Sequence, residues 1–255
     1  MYVGLITVRT QSSRLNRKCL LKLDKKKTVI EHIVLRSLNS GITPIICTTN
    51  KKSDKILVEI ANKLKVNFFC GSEKNKIKRW YDCCMFYKLK NFHTIDADDL
   101  YFDPLSVKKS LRILKKINYD IIHPSTASRI GGASEGYSFS KKGIRRLYNS
   151  LNDYKFKKIN TFDTEMIDEF VKKANLKEHK LKGQNYEIKK NIRLTLDYLE
   201  DFKLFKIIYQ KFGTYEKRKK INLFLKKNKK YLQINFFKNK LWDLKQKNFM
   251  MPKSK

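Results

Sequence analysis

Three features of the sequence predict an α/β fold with a mostly parallel sheet. Short β-branched runs alternate with stretches of helical period from the first residues onward. Several of those runs end on a polar or acidic loop, where open α/β sheets keep their ligand sites. The chain has 255 residues, 41% apolar and 12% aromatic, enough to bury a sizeable core.

The elements follow in order. Tyr2–Val8 reads as a buried first strand, and the polar loop Arg9–Lys18 follows it. Thr28 with Glu31 matches a capping box, after which Val29, Ile30, Ile33, Val34 and Leu38 recur at helical spacing as far as Gly41. Pro44–Thr49 reads as the second strand. Ser53 is expected to cap a helix whose apolar face is Ile56, Leu57, Ile60 and Leu64. Val66–Phe69 reads as a third strand, Ile77–Leu89 as a helix, and Phe92–Ile95 as a fourth strand running into Asp96-Ala97-Asp98-Asp99. Val107–Ile117 reads as helix and Tyr119–His123 as strand. Past Pro124 the strict alternation breaks, and Ser125–Gly136, with Gly131 and Gly132, reads as a loop. Gly136–Ser140 predicts a strand and Lys141–Leu151 a helix, while 152–190 carries no clear pattern. Ile192–Asp197 predicts one more strand and Glu200–Phe212 a helix. With no internal repeat and no Pro/Gly/Ser linker, the chain reads as one domain over 1–212 with a Lys-rich helical extension over 213–255.

Composition excludes several classes. No segment approaches the roughly 18 apolar residues of a membrane span. Tyr2–Val8 is too short for a signal peptide and has no basic stretch before it, so the expected location is the cytoplasm. Five cysteines without CxxC spacing and four scattered histidines argue against a disulfide framework or a structural zinc. The net charge of +34 suggests nucleic acid at first sight, but the 58 basic residues are 47 Lys and only 11 Arg, dispersed along the chain. That pattern reads as a Lys-rich solvated surface, with no specific nucleic-acid partner expected. The segment 201–255 is locally denser, with 17 Lys or Arg against three acids, and could attract polyanions weakly.

Three constellations can carry chemistry. The loop after the first strand holds Arg9, Arg14, Arg17 and Lys18 with Ser12 and Ser13, cations and hydroxyls that suit a triphosphate. It contains no glycine and matches neither a Walker A loop nor GxGxxG; a basic surface loop would look similar. Asp98 lies in an acidic run where the fourth strand ends, and neighbouring carboxylates are costly to bury without a cation. A helix-capping turn before Pro104 is the competing reading. Asp197 ends another apolar run; it is either a second metal acid or a cap for the helix behind it.

Together these segments resemble the cytidylyltransferases of the spore-coat polysaccharide type, relatives of the synthetases that make CMP-activated acidic sugars such as KDO and the nonulosonates. Arg9 with Ser12-Ser13-Arg14-Leu15-x-x-Lys18 is similar to that family's opening signature, and Gly71-Ser72-Glu73 with Arg79-Trp80-Tyr81 to its second block. Ile95-Asp96-Ala97-Asp98 before Asp103-Pro104 resembles its metal-aspartate block. Arg193-Leu-Thr-Leu-Asp197 with Glu200-Asp201-Phe202, and the segment Lys226–Asn235, resemble its later blocks. The resemblance implies a Rossmann-like nucleotide-diphosphosugar-transferase fold, a mixed, mostly parallel sheet with helices on both faces. It also implies a reaction in which CTP and a sugar, of an acidic or surface-polysaccharide kind, give a CMP-sugar and pyrophosphate.

By the same resemblance, Arg9 and Lys18 would be catalytic, holding the triphosphate with Ser12, Ser13 and Arg14. Arg79 would help hold the nucleotide, Glu135 would lie near the sugar, and Asp98 and Asp197 would hold Mg²⁺. Without the ion, the two acids are expected to be loosely placed or protonated. The sequence departs from the family pattern at Asn16-Arg17, at Ala97 and at Lys74, Asn75 and Lys78, which leaves base choice open. A homodimer is compatible with the reading. Two alternatives compete with it: a glycosyltransferase of the same fold using a nucleotide sugar, and a basic nucleic-acid-binding protein, against which arginine poverty speaks.

Overall fold

A computed structural model describes residues 1–126, 136–151, 167–188 and 191–241. The sheet has seven strands in the order β3-β2-β1-β4-β6-β5-β7: Val3–Thr7 (β1), Thr43–Thr49 (β2), Asn67–Gly71 (β3), Asn91–Asp96 (β4), Ile121–His123 (β5), Ser138–Ser140 (β6) and Glu178–Lys180 (β7). β1 to β4 are mutually parallel, β6 runs antiparallel to both β4 and β5, and β7 is parallel to β5. The mixed, mostly parallel sheet is the one the resemblance implies, and the α/β alternation is the one the sequence predicts.

Side-chain alternation along the strands sends successive residues to opposite faces, so the sheet supports two cores. Ile6, Ile46, Ile95 and Ile122 face one. There they meet the helices Val29–Asn39 (α1), Lys55–Lys63 (α2), Pro104–Lys116 (α4), Leu199–Phe212 (α7) and Arg218–Lys227 (α8). Leu5, Ile45, Phe92, Ile121 and Phe139 face the other. That side is covered by Lys76–Phe86 (α3), Lys141–Ser150 (α5) and Ile167–Lys173 (α6). The Thr28 capping box of α1 forms as expected: Glu31 N–H donates to the Thr28 hydroxyl, and Thr28 N–H donates back to the Glu31 carboxylate.

Two expectations fail for physical reasons. Ser53 does not cap α2; a 3-10 turn over Lys52–Asp54 leads into that helix, and the Asp54 side chain is turned toward the loop after β1. Ile192–Asp197 is largely buried but forms no strand; its backbone groups are taken by side chains, the Ile192 and Arg193 carbonyls by Asn239 and Asn235 and the Asp197 N–H by Asp201. It is tied to the sheet's carboxyl edge through a loop instead, Leu196 N–H donating to the Asp98 carbonyl at 2.9 Å. Most of the expected Ser125–Gly136 loop, including Glu135, lies outside the described residues. At its end, Gly136 has φ +67°, and a Cβ there would stand 1.8 Å from the Thr94 carbonyl oxygen, so no other residue fits. Ile221, Leu225 and Leu232 of the C-terminal extension pack into the same core as α1, α2 and α4.

Candidate active site

The site is assembled by register. β1 and β4 are neighbours with Thr7 opposite Asp96, so the loop after β1 and the acidic turn after β4 leave the same edge of the sheet side by side. Ala97 N–H donates to the Thr7 carbonyl at 3.2 Å and closes the seam between them. The base of the first loop is pinned from β2: Thr10 donates its N–H (2.8 Å) and its hydroxyl (2.6 Å) to Asp54, which also takes the Thr49 hydroxyl. Arg17 sits in the left-handed region at φ 51°, its N–H returning to the Thr10 carbonyl at 3.0 Å. That turn delivers Lys18 into the site.

Lys18 Nζ lies 3.0 Å from Asp98 Oδ2 and 3.0 Å from Asp197 Oδ1. Two acids far apart in sequence are thereby brought to one point, their oxygens separated by no more than twice that distance. Arg14 Nη2 reaches the same Asp197 oxygen at 2.8 Å, and Arg193 Nη2 takes the other at 2.9 Å. Lys18 touches both acids, while Arg14 and Arg193 add two further cations to Asp197 alone. Burial opposes ionisation of Asp197, but Lys18, Arg14 and Arg193 outweigh it and keep the carboxyl below its usual range. Burial likewise opposes the charge on Lys18, yet Asp98 and Asp197 hold the ammonium's pKa above its ordinary value.

Asp197 does not cap α7. That duty falls to Asp201, whose Oδ2 accepts the N–H groups of Asp197 and Tyr198 at 2.8 Å each. The cap before Pro104 is Asp103, accepting Leu105 N–H at 3.1 Å, so Asp96, Asp98 and Asp99 are not needed for that turn. Oxygens of these three acids all lie within 4.8 Å of one another. Both Asp99 oxygens are buried without a hydrogen-bond partner. Burial, with Asp98 and Asp96 nearby, pushes the Asp99 carboxyl well up. Burial raises Asp98 too, with Asp197 and Asp96 adding to it against Lys18. Oxygen donors of this density, with one member unsatisfied, fit a hard divalent cation.

The remaining expected residues take separate places. Arg9 is half-buried at the root of the loop, Ser12 is half-buried and Ser13 exposed. Arg79 is buried, and its Nη1 donates to the Ser72 and Glu73 carbonyls at 2.8 and 3.4 Å, so in this arrangement it shapes the turn after β3. Sequence reasoning missed Asp54 and Lys76, and it placed Asp99 in the acidic run without giving it a role of its own. Lys76 lies 2.9 Å from Asp96 and over the Trp80 ring, and the Trp80 indole donates to Thr7 at 2.8 Å. Asn235 and Asn239, which brace Arg193, were missed as well. Among these, only the adjacency of Asp99 to Asp98 leaves a signal in the sequence.

A family model described as cytidylyltransferase matches residues 3–255. An uncharacterised protein of Methanocaldococcus jannaschii is 31% identical over 208 residues, 80% of this chain and 81% of that one. Among solved structures, a cytidylyltransferase from Leptospira borgpetersenii superposes with a TM-score of 0.74 at 19% identity, over 91% of this chain and 97% of that one. A CMP-2-keto-3-deoxy-manno-octonic acid synthetase bound to CTP superposes with a TM-score of 0.61 at 11% identity, over 83% and 99%. At these identities the two structures speak to the fold.

Proposed function

This chain belongs to the cytidylyltransferase family, and on that premise we propose that it transfers CMP from CTP to a sugar hydroxyl and releases pyrophosphate. The observation that carries the reading is the meeting of Lys18, Asp98 and Asp197 beneath a loop bearing Arg9 and Arg14. Cations for a triphosphate and oxygens for a divalent ion stand at one sheet edge.

In the reaction, the sugar oxygen forms a bond to the α-phosphorus while the bond from that phosphorus to the bridging oxygen breaks. The pyrophosphate leaves with the bonding electrons, and the hydroxyl proton passes to solvent. Such transfer needs positioning and charge stabilisation more than a covalent nucleophile. Arg9, Ser12, Ser13 and Arg14 bind the triphosphate. Lys18 turns from the carboxylates toward the phosphates as the nucleotide enters, neutralising charge that builds on the leaving group. Asp98 and Asp197 would hold Mg²⁺, with Asp99 and Asp96 beside them, and a divalent ion held there would supply positive charge against the phosphate oxygens. Arg79 acts on the nucleotide through the Ser72–Asn75 turn that it shapes. Glu135 is assigned to the sugar side.

The test is a pyrophosphate-release screen of the four nucleoside triphosphates against acidic and neutral sugars with Mg²⁺. Release that needs CTP and a sugar together is expected. Release of a nucleoside diphosphate from a nucleotide sugar would favour a glycosyltransferase instead.

A further inference from the structure

Arg193 is almost fully buried, 1% exposed, and it is the residue through which the turn at Asp197 is built. Its Nη2 binds Asp197 Oδ2 at 2.9 Å, its Nε binds Asp201 Oδ1 at 3.0 Å, and Asp201 in turn receives the Asp197 and Tyr198 amides. What holds Arg193 and Asp201 comes from the far end of the described chain. Asn235, 0% exposed, donates both amide hydrogens, one to the Arg193 carbonyl at 2.9 Å and one to Asp201 Oδ1 at 2.8 Å. Both partners are acceptors, so only one orientation of that amide is allowed. Asn239 accepts from Arg193 Nη1 at 3.2 Å and donates to the Ile192 carbonyl at 3.2 Å. Between them, Lys238 pairs with Glu200 at 2.9 Å and lies over the Tyr198 ring. Three residues in a stretch of five thus reach back to the single turn that carries Asp197.

We infer that the C-terminal segment Asn235–Asn239 is a clamp that sets the orientation of Asp197, with Asn235 and Asn239 as positioning residues for the site. The inference rests on Asp197 being a metal acid. Arg193 occupies Asp197 Oδ2 and leaves Oδ1 facing Lys18 and Arg14. Loss of the clamp frees Arg193, and the buried carboxylate loses its fixed aim. Groups that orient a metal ligand from behind typically change metal affinity by about 10–100-fold.

The experiment compares wild type with Asn235→Ala, Asn239→Ala, Asn239→Asp and, as control, Asn228→Ala. The control removes a side-chain bond of the same extension, Asn228 Nδ2 to the Phe224 carbonyl at 2.9 Å. Two readouts are taken without nucleotide or sugar: amide hydrogen exchange at Asp197 and Tyr198, and Mn²⁺ affinity by spin resonance. Asn235→Ala and Asn239→Ala are expected to exchange about tenfold faster at those amides and to bind Mn²⁺ about tenfold more weakly, with strand amides unchanged. Asn239→Asp, which keeps the acceptor for Arg193 but loses the donor to the Ile192 carbonyl, is expected to lose less affinity than Asn239→Ala, and Asn228→Ala to retain wild-type affinity. If Asn235→Ala fails to fold, the half-buried Asn239 pair carries the comparison. Wild-type exchange, or wild-type Mn²⁺ affinity, in the alanine variants overturns the inference. A wild type that binds no Mn²⁺ overturns the reading of Asp197 and the clamp's purpose with it.

Discussion

At the scale of single residues, the site is a balance of like and unlike charges in which one ammonium, that of Lys18, is shared by two acids. Lys18→Ala removes the group shared by Asp98 and Asp197. One well-placed charged contact is worth on the order of 2–4 kcal/mol in the transition state, so kcat/KM is expected to fall by roughly 10²–10³-fold with the circular dichroism unchanged. Wild-type kinetics in that variant would remove Lys18 from the reaction. A second residue predicts acid sensitivity. His32 is fully buried, its Nε2 on the Leu100 carbonyl at 3.0 Å, and burial followed by Arg36 lowers its pKa from 6.5 to about 3. A depressed histidine keeps its stabilising share above the unfolded pKa and loses it as the pH falls toward the folded one. Between pH 7 and pH 5 this costs about 2 kcal/mol, and His32→Gln is expected to flatten that slope in denaturant titrations. An equally steep slope in the variant would exclude His32. Asp98 and Asp197 were legible in the sequence because each lies where an apolar run ends, and Lys18 because it belongs to the cation-rich loop behind the first strand. Asn235 was not, since one asparagine in a Lys-rich amphipathic stretch looks like any solvated residue. Asp54 was hidden by Ser53, an equally good cap in sequence.

At the scale of elements, what the sequence revealed and what it hid have one cause. β1, β2 and β4 are buried along most of their length and read as short, largely apolar runs, so their positions were legible. Ile192–Asp197 has the same appearance, but its backbone groups are taken by the Asn235, Asn239 and Asp201 side chains, and no local pattern reports partners that lie outside the segment. β7, Glu178–Lys180, is three polar residues at the edge of the sheet and carries no apolar signal. Local capping is a firmer guide. Thr28→Ala breaks the capping box of α1 and is expected to cost about 1 kcal/mol in urea unfolding, leaving kcat unchanged. A loss of activity without a loss of stability would mean that α1 acts on the site directly.

At the scale of the whole molecule, two cores on one sheet leave its carboxyl edge free for chemistry, while the surface carries the charge. The +34 is borne mainly by dispersed lysines, so binding to random duplex DNA is expected to be weak at physiological salt and without sequence preference. A sequence-specific complex that survives 0.2 M salt would contradict this. No helix among the described residues is long and apolar enough to cross a membrane. The joint action of Asp98 and Asp197 is the centre of the proposed chemistry, and one measurement reaches it most directly: pyrophosphate release from CTP across a Mg²⁺ titration for wild type, Asp98→Asn, Asp197→Asn and the double variant. Acids that act on one ion are not additive, so each single variant should need far more Mg²⁺ and turn over much more slowly, with the double variant little worse than either. Full activity in Asp197→Asn, or losses that multiply in the double variant, would contradict a shared site.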